Sequence, residues 1–363
     1  MPLVRRPRFV VVLAVALGWT TLASFCAAQD QPQLLADLET TPEERGSNPE
    51  EFVRVGDRVF FVVFRRSPWP GAVVTDGTSG GTHLAADLDP GPATGVYGKL
   101  VGFDGGVLVQ GDDRLFWNGG TKESSEFVVE PCPGACPSSI GLPAVVGDHF
   151  FFRASDELHG AELWVSDGTA AGTRLALDIR PGAADGLSGD PIAMGSRLFF
   201  SADNGVDGFE LWTDLGTPGS TFQLHQLCPG NCSSRPRQMA ALGGRLIFVA
   251  SGDASSTSLW SSDTTIGGAL ELLHLPWNPL DPGIQGRWVE FGGRLFGALN
   301  HCPEGCLLET DGTLSGTGLS EAVFPSTGRR AAQVLASSQL LYVAVVDDLN
   351  GDREIWASDG SRR

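Results

Sequence analysis

The stretch ELWVSDGT, Glu162 to Thr169, decides the fold, because degenerate copies of it return along the chain at a nearly constant interval. The closing residue of each copy falls at Thr78, Thr121, Thr169, Thr217, Thr265, Thr313 and Ser361, so one step is 43 residues and the other five are 48. Self-similarity at a period in the forties marks an architecture of repeated supersecondary units. Between copies, blocks such as VGDRVFF at Val55, VGDHFFF at Val146, MGSRLFF at Met194, LGGRLIF at Leu242 and FGGRLFG at Phe291 keep the same phase.

One unit reads as four short strands. In the fourth copy these are Pro191 to Met194, Arg197 to Ala202 after a Gly-Ser turn, Phe209 to Thr213 after a polar loop, and Phe222 to Leu227 after a Gly-containing turn. No segment sustains apolar residues at helical spacing. The Gly pairs supply the positive φ of tight hairpins. The apolar run after each pair needs both faces covered, as for a strand sandwiched between neighbouring sheets. Four-stranded units of this length, arranged radially, make a β-propeller. The expected fold is therefore all-β, with seven blades.

The last copy stops at EIWASDGSRR, just after its third strand, and PQLLADL at Pro32 to Leu38 matches the fourth strand that other copies write as TRLALDI. The N-terminal strand is expected to complete the last blade and close the ring, removing an open sheet edge.

The seven copies, strongest in ELWVSDGTAAGT at Glu162 to Thr173, ELWTDLGT at Glu210 to Thr217 and EIWASDGS at Glu354 to Ser361, resemble the ELWxxDGT repeat family of secreted bacterial proteins. The resemblance implies an exported repeat protein without an established catalytic activity, and it transfers no catalytic residues.

The N-terminus agrees with export. Arg5, Arg6 and Arg8 precede an apolar run from Phe9 to Leu17 and small residues ending at Ala28, the order of a secretory signal peptide. Residues 1–28 are read as that signal and 29–363 as a single propeller domain. A retained anchor fits less well because the apolar run is short, and Phe25 disfavours a lipoprotein site at Cys26. A formal charge of −18 argues against nucleic acid or an anionic membrane as partner. The expected product is a secreted, periplasmic or surface-located monomer.

Six cysteines follow the signal, in pairs four residues apart: Cys132 with Cys136, Cys228 with Cys232, and Cys302 with Cys306. In an exported protein such pairs read as local disulfides; zinc, the competing reading, needs four ligands, and no His repeats beside them. Trp164, Trp212, Trp260 and Trp356 recur at one position of the third strand, where Phe116 and Leu308 stand in other copies. Such substitution points to packing between blades rather than to sugar platforms. The Asp-Gly pairs read as turns. Asp178 and Asp87, at the ends of outer strands, are expected to cap the Pro-Gly turns that follow.

Alternating strand directions put the Gly-Gly and Asp-Gly-Thr turns on one face of the ring. The loops between second and third strands, the blade-to-blade loops and the cysteine pairs share the other. This variable loop face is the expected ligand surface. One of its loops places Asp348, Asn350 and Asp352 at alternate positions, as calcium loops do, although no bidentate Glu follows. Calcium is the sole cofactor suggested, and no catalytic residues emerge. The six histidines (His83, His149, His159, His225, His274 and His301) occupy mostly different repeat positions. The first strands that should line the channel, Ala144 to Val146, Ile192 to Met194, Ala240 to Leu242 and Val334 to Ala336, are largely apolar. The expected function is a non-catalytic module binding a protein or glycan on the loop face or in the axial channel. The alternatives are a polysaccharide hydrolase or lyase, and a purely structural surface component.

Overall fold

The computed structural model describes residues 49–63, 71–87, 99–110, 115–121, 124–129, 140–156, 158–216, 219–230, 232–252, 257–275, 284–299, 307–319, 329–347 and 353–359. They form seven antiparallel sheets, each a simple meander in chain order, and no α-helix. Together these sheets make a seven-bladed β-propeller. Six blades show four strands, and the seventh shows three: Arg329–Ala336, Leu341–Asp347 and Arg353–Ser358. The closing strand expected from Pro32 to Leu38, and the signal segment 1–28, lie outside the described residues.

Blade 4 shows how the sequence sets the geometry. Its strands are Leu187–Met194, Arg197–Ala202, Glu210–Asp214 and Phe222–His225. The first strand starts four residues before the apolar run that the sequence displays, because a β-bulge between Ser188 and Ile192 absorbs Gly189, Asp190 and Pro191. A bulge leaves residues unpaired, so Pro191 can sit there without forfeiting a ladder hydrogen bond. Phe199 and Phe200 are neighbours on the second strand and both fully buried. They reach opposite faces: Phe199 packs with Leu246 and Phe248 of blade 5, and Phe200 with Leu163 and Val165 of blade 3. Each contributes about 2 to 3 kcal/mol by burial.

The third-strand position behaves as the divergent copies imply. Trp164 joins the core between blades 2 and 3, Trp212 that between 3 and 4, Trp260 that between 4 and 5, and Trp356 that between 6 and 7. Phe116 and Leu308 do the same between blades 1 and 2 and between 5 and 6. Each side chain faces the preceding blade, which is a packing role.

The first strands of blades 1 and 2, and those of blades 3 to 7 in succession, contact one another, which places them innermost around the axis. On the turn face, arginines at the start of second strands tie neighbours together. Arg58 donates to the carbonyls of Gly119 and Gly105 in blade 2, at 2.7 and 2.8 Å, and Arg197 of blade 4 donates to Thr264 O of blade 5 at 3.0 Å.

Candidate functional site

Most recurrent polar groups are spent on the scaffold. In the turn after the third strand of blade 3, Asp167 Oδ1 accepts from the amide and the hydroxyl of Thr169 (2.9 and 2.7 Å), and Thr169 Oγ1 accepts from Gly172 N (3.0 Å). Thr173 and Ser166 join their hydroxyls at 2.7 Å beneath it. The same bonds recur around Asp76, and in large part around Asp263 and Asp311. Hydrogen bonds from the threonine hydroxyl hold all four carboxyls below the ordinary range. A carboxylate committed to its own turn is a poor acid or base, so the turn face is structural.

The opening Glu of the repeat was legible as a recurrence at 162, 210 and 354, yet its role comes from the tertiary structure. Glu162 is fully buried and accepts from the amides of Ile179 (2.9 Å) and Arg180 (3.2 Å), beyond the outer strand of its own blade. Glu210 is equally buried and accepts from Leu227 N at 2.8 Å, Ser234 N at 3.1 Å and Ser234 Oγ at 2.6 Å. Each carboxylate pins the loop leading to the next blade. It is this Glu, not Asp178, that caps the end of the outer strand. The expected capping by Asp178 is corrected: its Oδ2 faces His159 Nε2 at 3.9 Å. Within the Glu210-anchored loop Cys228 and Cys232 form the expected disulfide, with Cα atoms 5.6 Å apart. Cys132, Cys136, Cys302 and Cys306 lie outside the described residues, as do Asp348, Asn350 and Asp352 of the calcium reading.

Desolvation pushes the Glu162 carboxyl up to about 7, and the same cause raises Glu210. A carboxyl raised in the fold keeps its proton between its ordinary value near 4.5 and about 7, where the unfolded chain has lost it. Its contribution to stability is therefore full at the acidic end of that window and declines as pH rises through 7. Wild-type unfolding free energy is expected to fall by up to about 3 kcal/mol between those limits on this account. Urea titrations at pH 5 and pH 8 should show Glu162→Gln with a clearly smaller pH difference than wild type; an unchanged difference would refute the assignment.

Above these anchors, the loop face of blades 3 and 4 carries second-to-third-strand loops that repeat one turn, Asn204 standing where Asp156 does. His159 Nδ1 donates to Asp156 at 2.9 Å, and Asp156 Oδ1 also accepts from the amides of Leu158 and His159 at 2.9 and 2.7 Å. The hydrogen bond to Asp156 raises the imidazole above its ordinary value. Asp185 Oδ1 accepts from Ala161 N at 2.9 Å. Arg180 reaches from the connection after blade 3 to Asp203, in the second-to-third-strand loop of blade 4, at 2.6 Å. Leu158 and Val206 occupy equivalent positions 48 residues apart and stand 73% and 70% exposed at adjacent loop tips. The face thus presents a carboxylate-braced histidine, an Arg-Asp pair and two apolar tips on a rigid base.

Among the described residues no three His, Cys, Asp or Glu side chains group to hold a metal, and no helix is long and apolar enough to cross a membrane. On the axial side, the innermost strands Leu100–Phe103 and Ala144–Val146 carry no charged residue.

No protein-family model and no curated protein matches the chain in sequence. Solved structures share its fold at low identity. A puromycin hydrolase is 17% identical with a TM-score of 0.53, over 87% of this chain and 55% of that one. An oligogalacturonate lyase from Vibrio parahaemolyticus is 11% identical with a TM-score of 0.51, over 85% of this chain and 88% of that one. The dihydro-heme d1 dehydrogenase NirN is 14% identical with a TM-score of 0.53, over 86% and 66%. The chain spans about half the length of the puromycin hydrolases it matches, 55% and 53%. These likenesses show the propeller fold.

Proposed function

We propose that this chain is an exported binding module whose ligand, a protein or a glycan, docks on the loop face of blades 3 and 4. One observation carries the reading. The polar residues that recur are consumed by turns and loop anchors, whereas the repeated loop tips Leu158 and Val206 stand exposed on the same face as His159 and Arg180, which the repeat does not keep. Exposed apolar tips beside fixed polar groups are what recognition surfaces use. The resemblance to the ELWxxDGT repeat family supports export, as does the Cys228–Cys232 disulfide.

The test is a glycan array combined with capture from envelope extracts, comparing wild type with Leu158→Asp/Val206→Asp. Both side chains are exposed, so the double variant should keep its melting temperature and lose about tenfold or more in affinity for whatever wild type captures. Undiminished capture would overturn the assignment.

A polysaccharide hydrolase or lyase is the second reading. It is favoured by the Asp156-braced His159, an arrangement suited to proton transfer, and by a fold shared with an oligogalacturonate lyase and a puromycin hydrolase. On this reading wild type releases shorter or unsaturated sugar products from polyuronate, and His159→Asn abolishes the release.

A further inference from the structure

Blade 5 departs from the repeat at the turn after its third strand, and blade 4 supplies what is missing. The residue before the closing threonine is glycine in the other described copies, Gly77, Gly120, Gly168, Gly216 and Gly312, at φ between 77° and 101°. Blade 5 carries Thr264 there, at a φ of 69°. A β-branched side chain in the left-handed region is an outlier, and it persists only where the surroundings impose it.

The same turn lacks a second residue. In blades 1, 3 and 6 the hydroxyl that ends the third strand, on Thr75, Ser166 or Thr310, accepts the glycine amide and joins a threonine hydroxyl seven residues on, Thr82, Thr173 or Thr317, at 2.7 Å. In blade 5 Ser262 Oγ likewise accepts from Thr264 N at 3.0 Å, but the residue seven on is Ala269. His225, from the outer strand of blade 4, takes the place of that threonine, with Nε2 2.7 Å from Ser262 Oγ. Arg197 of blade 4 holds Thr264 O at 3.0 Å. A strained turn of one blade is thus clamped by two side chains of its neighbour.

One of those clamps can titrate near neutral pH. His225 is buried, and burial holds its imidazole below the ordinary value of 6.5. Ser262 Oγ already accepts an amide, so its hydroxyl hydrogen goes to the neutral Nε2. Protonation turns that acceptor into a donor and leaves a charge out of water. Asp263 opposes the charge, yet its carboxylate is held by the amide and hydroxyl of Thr265 at 2.9 and 2.6 Å and is also drawn toward Arg245. Arg197 brings a like charge to the same turn. The stabilisation from His225 is therefore present above its ordinary value and is lost as pH falls.

We infer that the turn from Ser262 to Gly268 is a pH-sensitive catch on the seam of blades 4 and 5: neutral His225 keeps it closed, and a proton on His225 frees Ser262 and lets Thr264 leave the left-handed region. The opening is local, because Phe199, Leu246 and Phe248 hold the same seam by apolar burial.

The test is amide hydrogen exchange of the full chain at pH 7.5 and pH 5.5, read as protection relative to the unstructured rate. Protection from Ser262 to Gly268 should fall about tenfold at the lower pH, while the matching turn of blade 3, Ser166 to Gly172, is unchanged. Acid strengthens the fold through Glu162 and Glu210, so this loss runs against the global trend and general loosening cannot mimic it. His225→Gln, which keeps a hydrogen-bonding side chain without the charge, should remove the pH response. Thr264→Gly/Ala269→Thr restores the repeat, relieves the strain and should keep the turn closed at both pH values. The proposal is overturned by unchanged protection in wild type, by an equal loss in the blade 3 turn, or by a response that survives in either variant.

Discussion

Gly208→Ala is expected to destabilise the propeller by about 2 to 5 kcal/mol. Gly208 closes the second-to-third-strand loop of blade 4 at a φ of +73°, and a Cβ there would run into the backbone carbonyl of Cys232 and approach Ser233 Oγ to 2.6 Å. Two costs combine. An L-residue in the left-handed region loses about 1 to 2 kcal/mol, and forcing a methyl into packed backbone adds about 1 to 3 kcal/mol. The obstructing atoms belong to a loop fixed by the Cys228–Cys232 disulfide and by Glu210, so little of the second cost can relax. Gly195→Ala separates the two contributions: its φ is +62°, but nothing stands within 4 Å of the new Cβ. It should cost only about 1 kcal/mol. Urea or calorimetric unfolding of both variants measures the difference, and equal losses would show that the loop does not press on Gly208.

Glu210→Ala should cost about 3 to 4 kcal/mol. Truncation leaves the amides of Leu227 and Ser234 without their acceptor in a buried setting, whereas the Ser234 hydroxyl keeps the Phe209 carbonyl at 3.3 Å. Each orphaned buried donor costs about 1 to 3 kcal/mol, and the emptied space adds a cavity penalty. The loss should be local in its signature. Hydrogen exchange at Leu227 and Ser234 should accelerate well before exchange in the strands of blades 2 and 3, while the disulfide holds its loop covalently. A loss below about 1 kcal/mol, or exchange that rises evenly around the ring, would mean that Glu210 is not the anchor of the connection between blades 4 and 5.

The blade count, the strand order within a blade and the packing role of Trp164, Trp212, Trp260 and Trp356 were all legible in the sequence, because each is a short-range pattern repeated many times. A Gly pair followed by an apolar run specifies a hairpin wherever it occurs, and replacement of Trp by Phe116 or Leu308 already signals a site that asks for apolar volume. The inner strands were read too short. Sequence alternation identifies the regular half of a strand, and the bulged half, with Gly189, Asp190 and Pro191 or with Gln238 and Met239, looks like loop. That omission concealed Arg237 and Arg287, which lie in the bulged halves. The outer-strand cap was likewise misplaced on Asp178, because the carboxylate that reaches those amides comes from a residue 17 positions earlier.

The sequence by itself determined that this chain is a ring of seven similar β units, since periodic hairpins and two-faced apolar strands leave no other way to bury their surfaces. Only the tertiary structure decided which polar groups are spent and which remain available. That depends on juxtapositions between different blades: Glu210 with Ser234, Arg180 with Asp203, Arg287 with Glu51. Such pairs are separated by tens or hundreds of residues, and no local pattern fixes the direction in which a loop or a bulge turns its side chains. The repeat defines the scaffold, and closure of the ring defines the surfaces that can act.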